Sequence, residues 1–189
     1  MTTIPIRFRG PVAGRLLTAL LTGLLAVAVG APAASAAPPA NAQDKLQSEI
    51  SAHIKAYGGK QISVNQIAWE DGVTMTFPLP GAKVALAPGQ EMVPLGTPNC
   101  RRGWSCLWEH NNFEGRYVDY YNCGTVWLRD KGFENMASSW HNNQTGGAYS
   151  IVYNYVGSNP QQIWFEPAGA SAAYVGNGNN DIADSVHVC

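Results

Sequence analysis

Hydrophobic and polar positions change their rhythm several times along this chain. A leader carrying Arg7, Arg9 and Arg15 opens into a nearly unbroken apolar run from Leu16 to Val29, which closes on Ala34-Ser35-Ala36. Basic start, apolar core and small-residue end are the three parts of a secretory signal. The run is shorter than the roughly 20 residues a membrane-spanning helix needs. Residues 1–36 are therefore expected to direct export and to be cleaved after Ala36, leaving a secreted, extracellular protein. No later stretch is apolar enough to cross a membrane.

Beyond an Ala/Pro-rich stretch at 37–42, Leu46, Ile50, Ile54 and Tyr57 recur at helical spacing, which predicts a helix over 43–57 stopped by Gly58-Gly59. Strand-like runs follow at Gln61–Val64 and Gln66–Trp69. A Glu70-Asp71-Gly72 turn then leads into Val73–Phe77, where side chains alternate. Asp-Gly between two such runs signals a hairpin. This unit, residues 37–77, is too short to bury a core of its own and reads as an accessory helix-hairpin segment. Five prolines and three glycines between Pro78 and Asn99 predict a linker over 78–99.

From residue 100 the texture becomes that of an all-β domain. Short runs such as Arg116–Tyr121, Tyr149–Tyr155, Gln162–Glu166 and Ala172–Val175 are separated by Gly, Asn, Asp and Ser, as in a sandwich or barrel. Fifteen of the 19 aromatic residues lie here. So do all four cysteines, Cys100, Cys106, Cys123 and Cys189. In an exported chain they read as two disulfides stapling a small core. Three pairings are possible; Cys100–Cys106 with Cys123–Cys189 is the expected one. Past residue 36 the chain keeps 9 basic residues against 13 acidic ones, a net charge of −4. No basic stripe remains for nucleic acid or a membrane surface.

The domain also repeats. Asn135-Met136-Ala137-Ser138-Ser139-Trp140-His141 aligns with Asp181-Ile182-Ala183-Asp184-Ser185-Val186-His187 at an offset of 46, which predicts two four-stranded Greek keys packed face to face. Trp108, Phe113 and Gly115 then stand at the spacing of a βγ-crystallin corner, in which a hairpin folds over its sheet. The second repeat places Tyr153, Ser158 and Pro160 at those positions, a degenerate copy. Within that superfamily the chain resembles the actinobacterial peptidase inhibitors typified by the small metalloproteinase inhibitor. The likeness rests on Cys100 to Cys106 followed by Leu107-Trp108-Glu109, on Asn112-Phe113-Glu114-Gly115, and on Gly132 to Ser139. Tyr57 to Ser63 and Ile67-Ala68-Trp69 resemble the leader segments attached to such domains. The resemblance implies a βγ-crystallin-like sandwich over 100–189 that occludes an extracellular protease, with a metalloprotease as the expected target; a monomer is expected.

An inhibitor of that kind needs a rigid, exposed, extended loop whose ordering cost is met before binding. Two segments qualify. One is Tyr121 to Trp127, with Cys123, Gly124, Thr125 and Val126 as the reactive candidates. The other is the loop from Asn99 to Cys106, whose Arg101 and Arg102 would suit a trypsin-like target. A different class of function, calcium or cell-envelope binding without inhibition, is the alternative. Calcium would take oxygens from Glu134, Asn135 and Ser138 in the first repeat and from Asn180, Asp181 and Asp184 in the second. Each copy departs once from the calcium-binding pattern, at Glu134 and at Asp184, and no cofactor is required by the sequence. Catalysis has little to stand on: Ser139, His141 and Asp130 carry no nucleophile-elbow signature. Glu109 and Glu114 flank the corner, where polar residues are expected anyway.

Overall fold

Short strands build two antiparallel sheets in a computed structural model that describes residues 40–189; the export signal expected over 1–36 lies outside the described residues. Helix α1 (Ala40–Tyr57) comes first, then β1 (Lys60–Ser63), β2 (Gln66–Ala68) and β3 (Thr74–Thr76). The strands β4 (Ser105–Trp108), β5 (Tyr117–Tyr120), β6 (Gly124–Trp127) and β7 (Ser139–Asn142) form a first motif. A second consists of β8 (Tyr149–Val156), β9 (Asn159–Pro167), β10 (Ser171–Ala172) and β11 (Ser185–Val188). The run expected at Ala172–Val175 contributes only its first residue to β10.

One sheet has the order β1-β2-β3-β5-β4-β7-β10 and the other β6-β11-β8-β9. Each motif thus gives its third strand to the other's sheet: β6 pairs with β11, and β10 with β7. The two Greek keys are packed face to face and also interlocked. A pseudo-twofold relation is written into the backbone where they cross. The Asn135 amide donates to the Ala183 carbonyl (2.9 Å), and its counterpart Asp181 donates to Ala137 (3.3 Å). Both residues adopt left-handed angles, φ 56° and 58°, a conformation Asn and Asp tolerate better than most side chains.

The helix-hairpin segment continues this architecture. Strand β3 pairs with β5 in the register Thr74↔Asp119, Met75↔Val118 and Thr76↔Tyr117. Ile50, Ile67, Met75 and Phe77 enter the same apolar cluster as Leu107, Val118 and Val186. Helix α1 docks through Leu46, Ile50 and buried His53, whose Nε2 lies 2.8 Å from the Lys131 carbonyl. Tyr57, expected on the docked face, is 44% exposed. The stretch expected as a linker, 78–99, is seated as well. Ala85 and Ala87 are buried, Val84 bridges to Gly115, and the Asn99 and Asn65 side-chain amides donate to the carbonyls of Ala85 and Leu86. Amide side chains do there what a strand ladder does elsewhere, so the segment packs with almost no regular structure. All described residues belong to one compact unit.

Between the sheets lies a buried polar knot. The Glu166 carboxylate on β9 accepts from Ser105 Oγ on β4 (3.0 Å), from Tyr120 OH on β5 (3.4 Å) and from Trp164 Nε1 (2.8 Å). Two disulfides complete the frame. Cys100–Cys106 closes a short loop, and Cys123–Cys189 spans 66 residues, a length at which loop-closure entropy corresponds to about 4 kcal/mol. Both are the expected pairs.

A candidate inhibitory edge

The two candidate inhibitory loops lie side by side. Trp104 in the disulfide-closed loop packs against Tyr121, with tilted rings whose centroids are 4.3 Å apart. The loop at 100–106 is held at both flanks by Asn143, whose side-chain amide donates to the Cys100 carbonyl (2.7 Å) while its carbonyl accepts from the Gly103 amide (2.8 Å). At its tip the Trp104 amide returns to the Arg101 carbonyl (3.1 Å) and Gly103 takes φ +86°, so Arg102 and Gly103 sit in a tight turn.

Arg101 is not free to enter a cleft. Its Nη2 and Nε reach the fully buried Asp119 Oδ2 at 2.8 and 2.9 Å, and its guanidinium lies 3.5 Å over the Trp104 ring. Burial raises the Asp119 carboxyl to about 6, against the pull of the Arg101 charge. Removing Arg101 would leave the buried Asp119 carboxyl without its partner, which places Arg101 in the scaffold. Arg102 is exposed.

The other segment faces outward: Asn122 and Cys123 form a bend after β5, and Gly124 and Thr125 begin β6. Strand β6 is the edge of its sheet, bonded to β11 and to no other strand. Tyr121 to Thr125 are exposed, and the Cys123–Cys189 disulfide anchors them at their middle. Val126 differs from the expectation: its side chain turns inward and is 8% exposed, because alternation along β6 puts Val126 on the core face and Thr125 on the open one. The N-terminal hairpin props this segment, with Asn122 Nδ2 donating to the Asp71 carbonyl (2.9 Å). Sequence reasoning missed that strut. The Asp-Gly turn was legible, but nothing local pairs it with a residue about 50 positions on.

The calcium candidates divide. Asn135, Ser138, Asn180 and Asp181 line one depression together with Glu109 and His110. Ser138 Oγ donates to the Glu109 carbonyl (2.8 Å) and lies 3.3 Å from Asp181 Oδ1, while Asn180 Oδ1 is buried without a partner. Glu134 is exposed and is not among the residues lining it. Asp184 Oδ2 is engaged by the Tyr155 amide. Among the described residues, no three His, Cys, Asp or Glu side chains converge as metal ligands. Ser139, weighed as a nucleophile, instead donates to the His110 carbonyl (2.7 Å) and accepts from the Phe113 amide (3.2 Å).

With this geometry in place, residues 94–165 match the model of peptidase inhibitor family I36. That region contains both candidate loops, and the family is one of inhibitors rather than enzymes. No curated protein is matched. Among solved structures the chain is similar to a βγ-crystallin domain described in work on the evolution of the eye-lens fold, at 19% identity, covering 49% of this chain and 91% of that one, with a TM-score of 0.41. It is similar to a βγ-crystallin domain from Clostridium beijerinckii at 20% identity (44% and 94% covered, TM-score 0.37). The N-terminal domain of Protein S is similar at 23% identity (46% and 94% covered, TM-score 0.36). The strand exchange between the two motifs, not these scores, defines the two-Greek-key architecture here.

Proposed function

We propose that this chain is a secreted inhibitor of an extracellular metalloprotease, acting as a monomer through substrate-like insertion of the segment Tyr121–Thr125. The observation that carries the reading is the placement, inside the inhibitor-family match, of an exposed, disulfide-anchored segment that leads through a bend into an edge strand. An edge strand presents unpaired backbone groups, and a peptide in a protease cleft is held by such groups in an extended form. Order imposed by Cys123–Cys189 and by the Asn122 strut lowers the entropy lost on docking. The arginine-bearing loop fits less well, since its tip is a tight turn and Arg101 is held by Asp119. Disulfides suit an oxidising, extracellular setting. Among the described residues no helix is long and apolar enough to cross a membrane.

Titration of a thermolysin-like metalloprotease with residues 37–189 at fixed substrate tests this, with trypsin-like and subtilisin-like enzymes in parallel. Stoichiometric loss of the metalloprotease activity alone, with the inhibitor left uncut, is expected. Tyr121→Ala should weaken inhibition by about 30-fold, the size of a hot-spot loss, while lowering the melting temperature only by what its contact with Trp104 contributes. Arg102→Ala should change nothing. Loss of the trypsin-like activity instead, abolished by Arg102→Ala, would overturn the assignment in favour of the neighbouring loop.

A second reading, calcium binding at the depression that the two repeats line together, is favoured by the unpartnered Asn180 Oδ1. Asn135, Ser138, Asn180 and Asp181 would supply side-chain oxygens there, with backbone carbonyls completing the set. Calorimetric titration with calcium should show a single site that Asp181→Ala abolishes; an absence of heat, with the protein folded, would dismiss it.

A further inference from the structure

The two most exposed large hydrophobic side chains among the described residues, Met92 (81%) and Leu95 (65%), stand on one loop. An exposed apolar side chain means little by itself. The backbone that carries these two is what gives them meaning.

Two tight turns bracket that backbone. The Gln90 amide donates to the Ala87 carbonyl (3.0 Å) with Gly89 at φ +81°, and the Thr97 amide donates to the Pro94 carbonyl (3.1 Å) with Gly96 at φ +80°. Glycine at a positive φ in third place is the signature of a type II turn. Between them, from Gln90 to Pro94, the chain runs without turn or bend. Pro94 holds Val93 to extended angles. Met92 is exposed and Val93 half-buried, and Glu91, Met92 and Val93 make no backbone hydrogen bond to another described residue.

A side chain clasps the base of the loop. Gln90 Oε1 accepts from the Ala87 amide (2.8 Å) and from the Tyr117 hydroxyl (3.4 Å), while Gln90 Nε2 donates to the Asn99 carbonyl (2.8 Å). Asn99 donates in turn to the Ala85 carbonyl (2.9 Å), and Cys100 opens the disulfide-closed loop directly after it. Ala85, Asn99, Cys100 and Tyr117 are all buried. The loop is thus pinned at both ends to the smaller apolar cluster around Trp108 and Tyr117, while its middle stands in water. Such a loop offers a protease cleft unpaired backbone groups and a protruding side chain, with its ends ordered before docking.

We infer that Gln90–Asn99 is a second inhibitory loop, which presents Met92 to the apolar primary pocket of a chymotrypsin-like serine protease. Met92 is the residue presented because it stands in the straight, unbonded stretch, whereas Leu95 sits inside a turn. An unbranched apolar side chain suits a hydrophobic slot and not the acidic pocket of a trypsin-like enzyme. The chain is then double-headed, with Tyr121–Thr125 for a metalloprotease and this loop for a serine protease. The second head does not depend on the first, so it stands or falls apart from the metalloprotease reading. Occlusion breaks no bond in either partner.

Residues 37–189 titrated into chymotrypsin at fixed peptide substrate should abolish its activity at one-to-one stoichiometry and stay uncut. Met92→Ala should weaken that inhibition about 100-fold, and Met92→Lys should transfer it to trypsin. Because the side chain is exposed, both variants should keep the parent's melting temperature. Tyr121→Ala should leave inhibition of chymotrypsin unchanged. Gln90 is a positioning residue: Gln90→Ala should turn the loop into a substrate, cut between Met92 and Val93, a single-bond outcome that a general loss of stability would not produce. No inhibition of chymotrypsin would overturn the proposal. So would inhibition that Met92→Ala leaves intact, or rapid cleavage of the parent between Met92 and Val93.

Discussion

A protein lacking residues 37–77 should show no cooperative unfolding transition by calorimetry, whereas the chain beginning at residue 37 should melt as a single unit. The deletion removes Leu46, Ile50, Ile67, Val73, Met75 and Phe77 from the core. At about 1.5–3 kcal/mol for each side chain this size, the loss is on the order of 10 kcal/mol, comparable to the whole stability of a small domain. It also strips β3 from β5, and a bare, apolar edge strand invites association between chains. The result has a direct functional reading. If the truncated protein is unfolded, the N-terminal segment is part of the domain that closes the core. A folded, active 78–189 would mean that the interlocked Greek keys close their core without help.

Stability should fall by about 3 kcal/mol as pH rises from 4 to 8 on account of Glu166 alone, and Glu166→Gln should remove that fall. Burial drives the Glu166 carboxyl up to about 7, while hydrogen bonds from Trp164, Ser105 and Tyr120 pull the other way and do not prevail. The folded state therefore holds its proton more tightly than the unfolded chain does. Stability from this group is full below the ordinary glutamate range, declines as pH rises towards 7, and is level above. A rise from 4.5 to about 7 corresponds to about 3 kcal/mol. Asp119 acts with the same sign at slightly lower pH. Glutamine reproduces the neutral acid in shape and bonding. The variant should match the parent near pH 4.5 and exceed it by about 3 kcal/mol at pH 8 in urea unfolding. Equal pH slopes for the two would show that the carboxylate is solvated after all.

The parts of this structure that could be read in the sequence are those fixed by local stereochemistry. Trp108, Phe113 and Gly115 announce a folded corner because only glycine takes that backbone angle beside a packed aromatic. The offset of 46 between Asn135 and Asp181 survives as two left-handed residues facing each other across the pseudo-axis. Cysteine spacing pointed to the right pairs. What escaped was set by partners distant in sequence. Val126 alternates correctly, but alternation does not say which face meets the core. Arg101 belongs to the scaffold because of Asp119, 18 positions on. Residues 78–99 are full of proline and glycine and yet pack, held by amide side chains that leave no periodic trace.

The exchange of third strands has a consequence for how the protein comes into being. Strand β6 finds its partner, β11, only after ~60 further residues have been made. Its sheet cannot close while the chain is still growing through β8 and β9, and neither Greek key can mature first and act as a template for the other. Closure of the four-stranded sheet therefore has to wait for synthesis to pass residue 188.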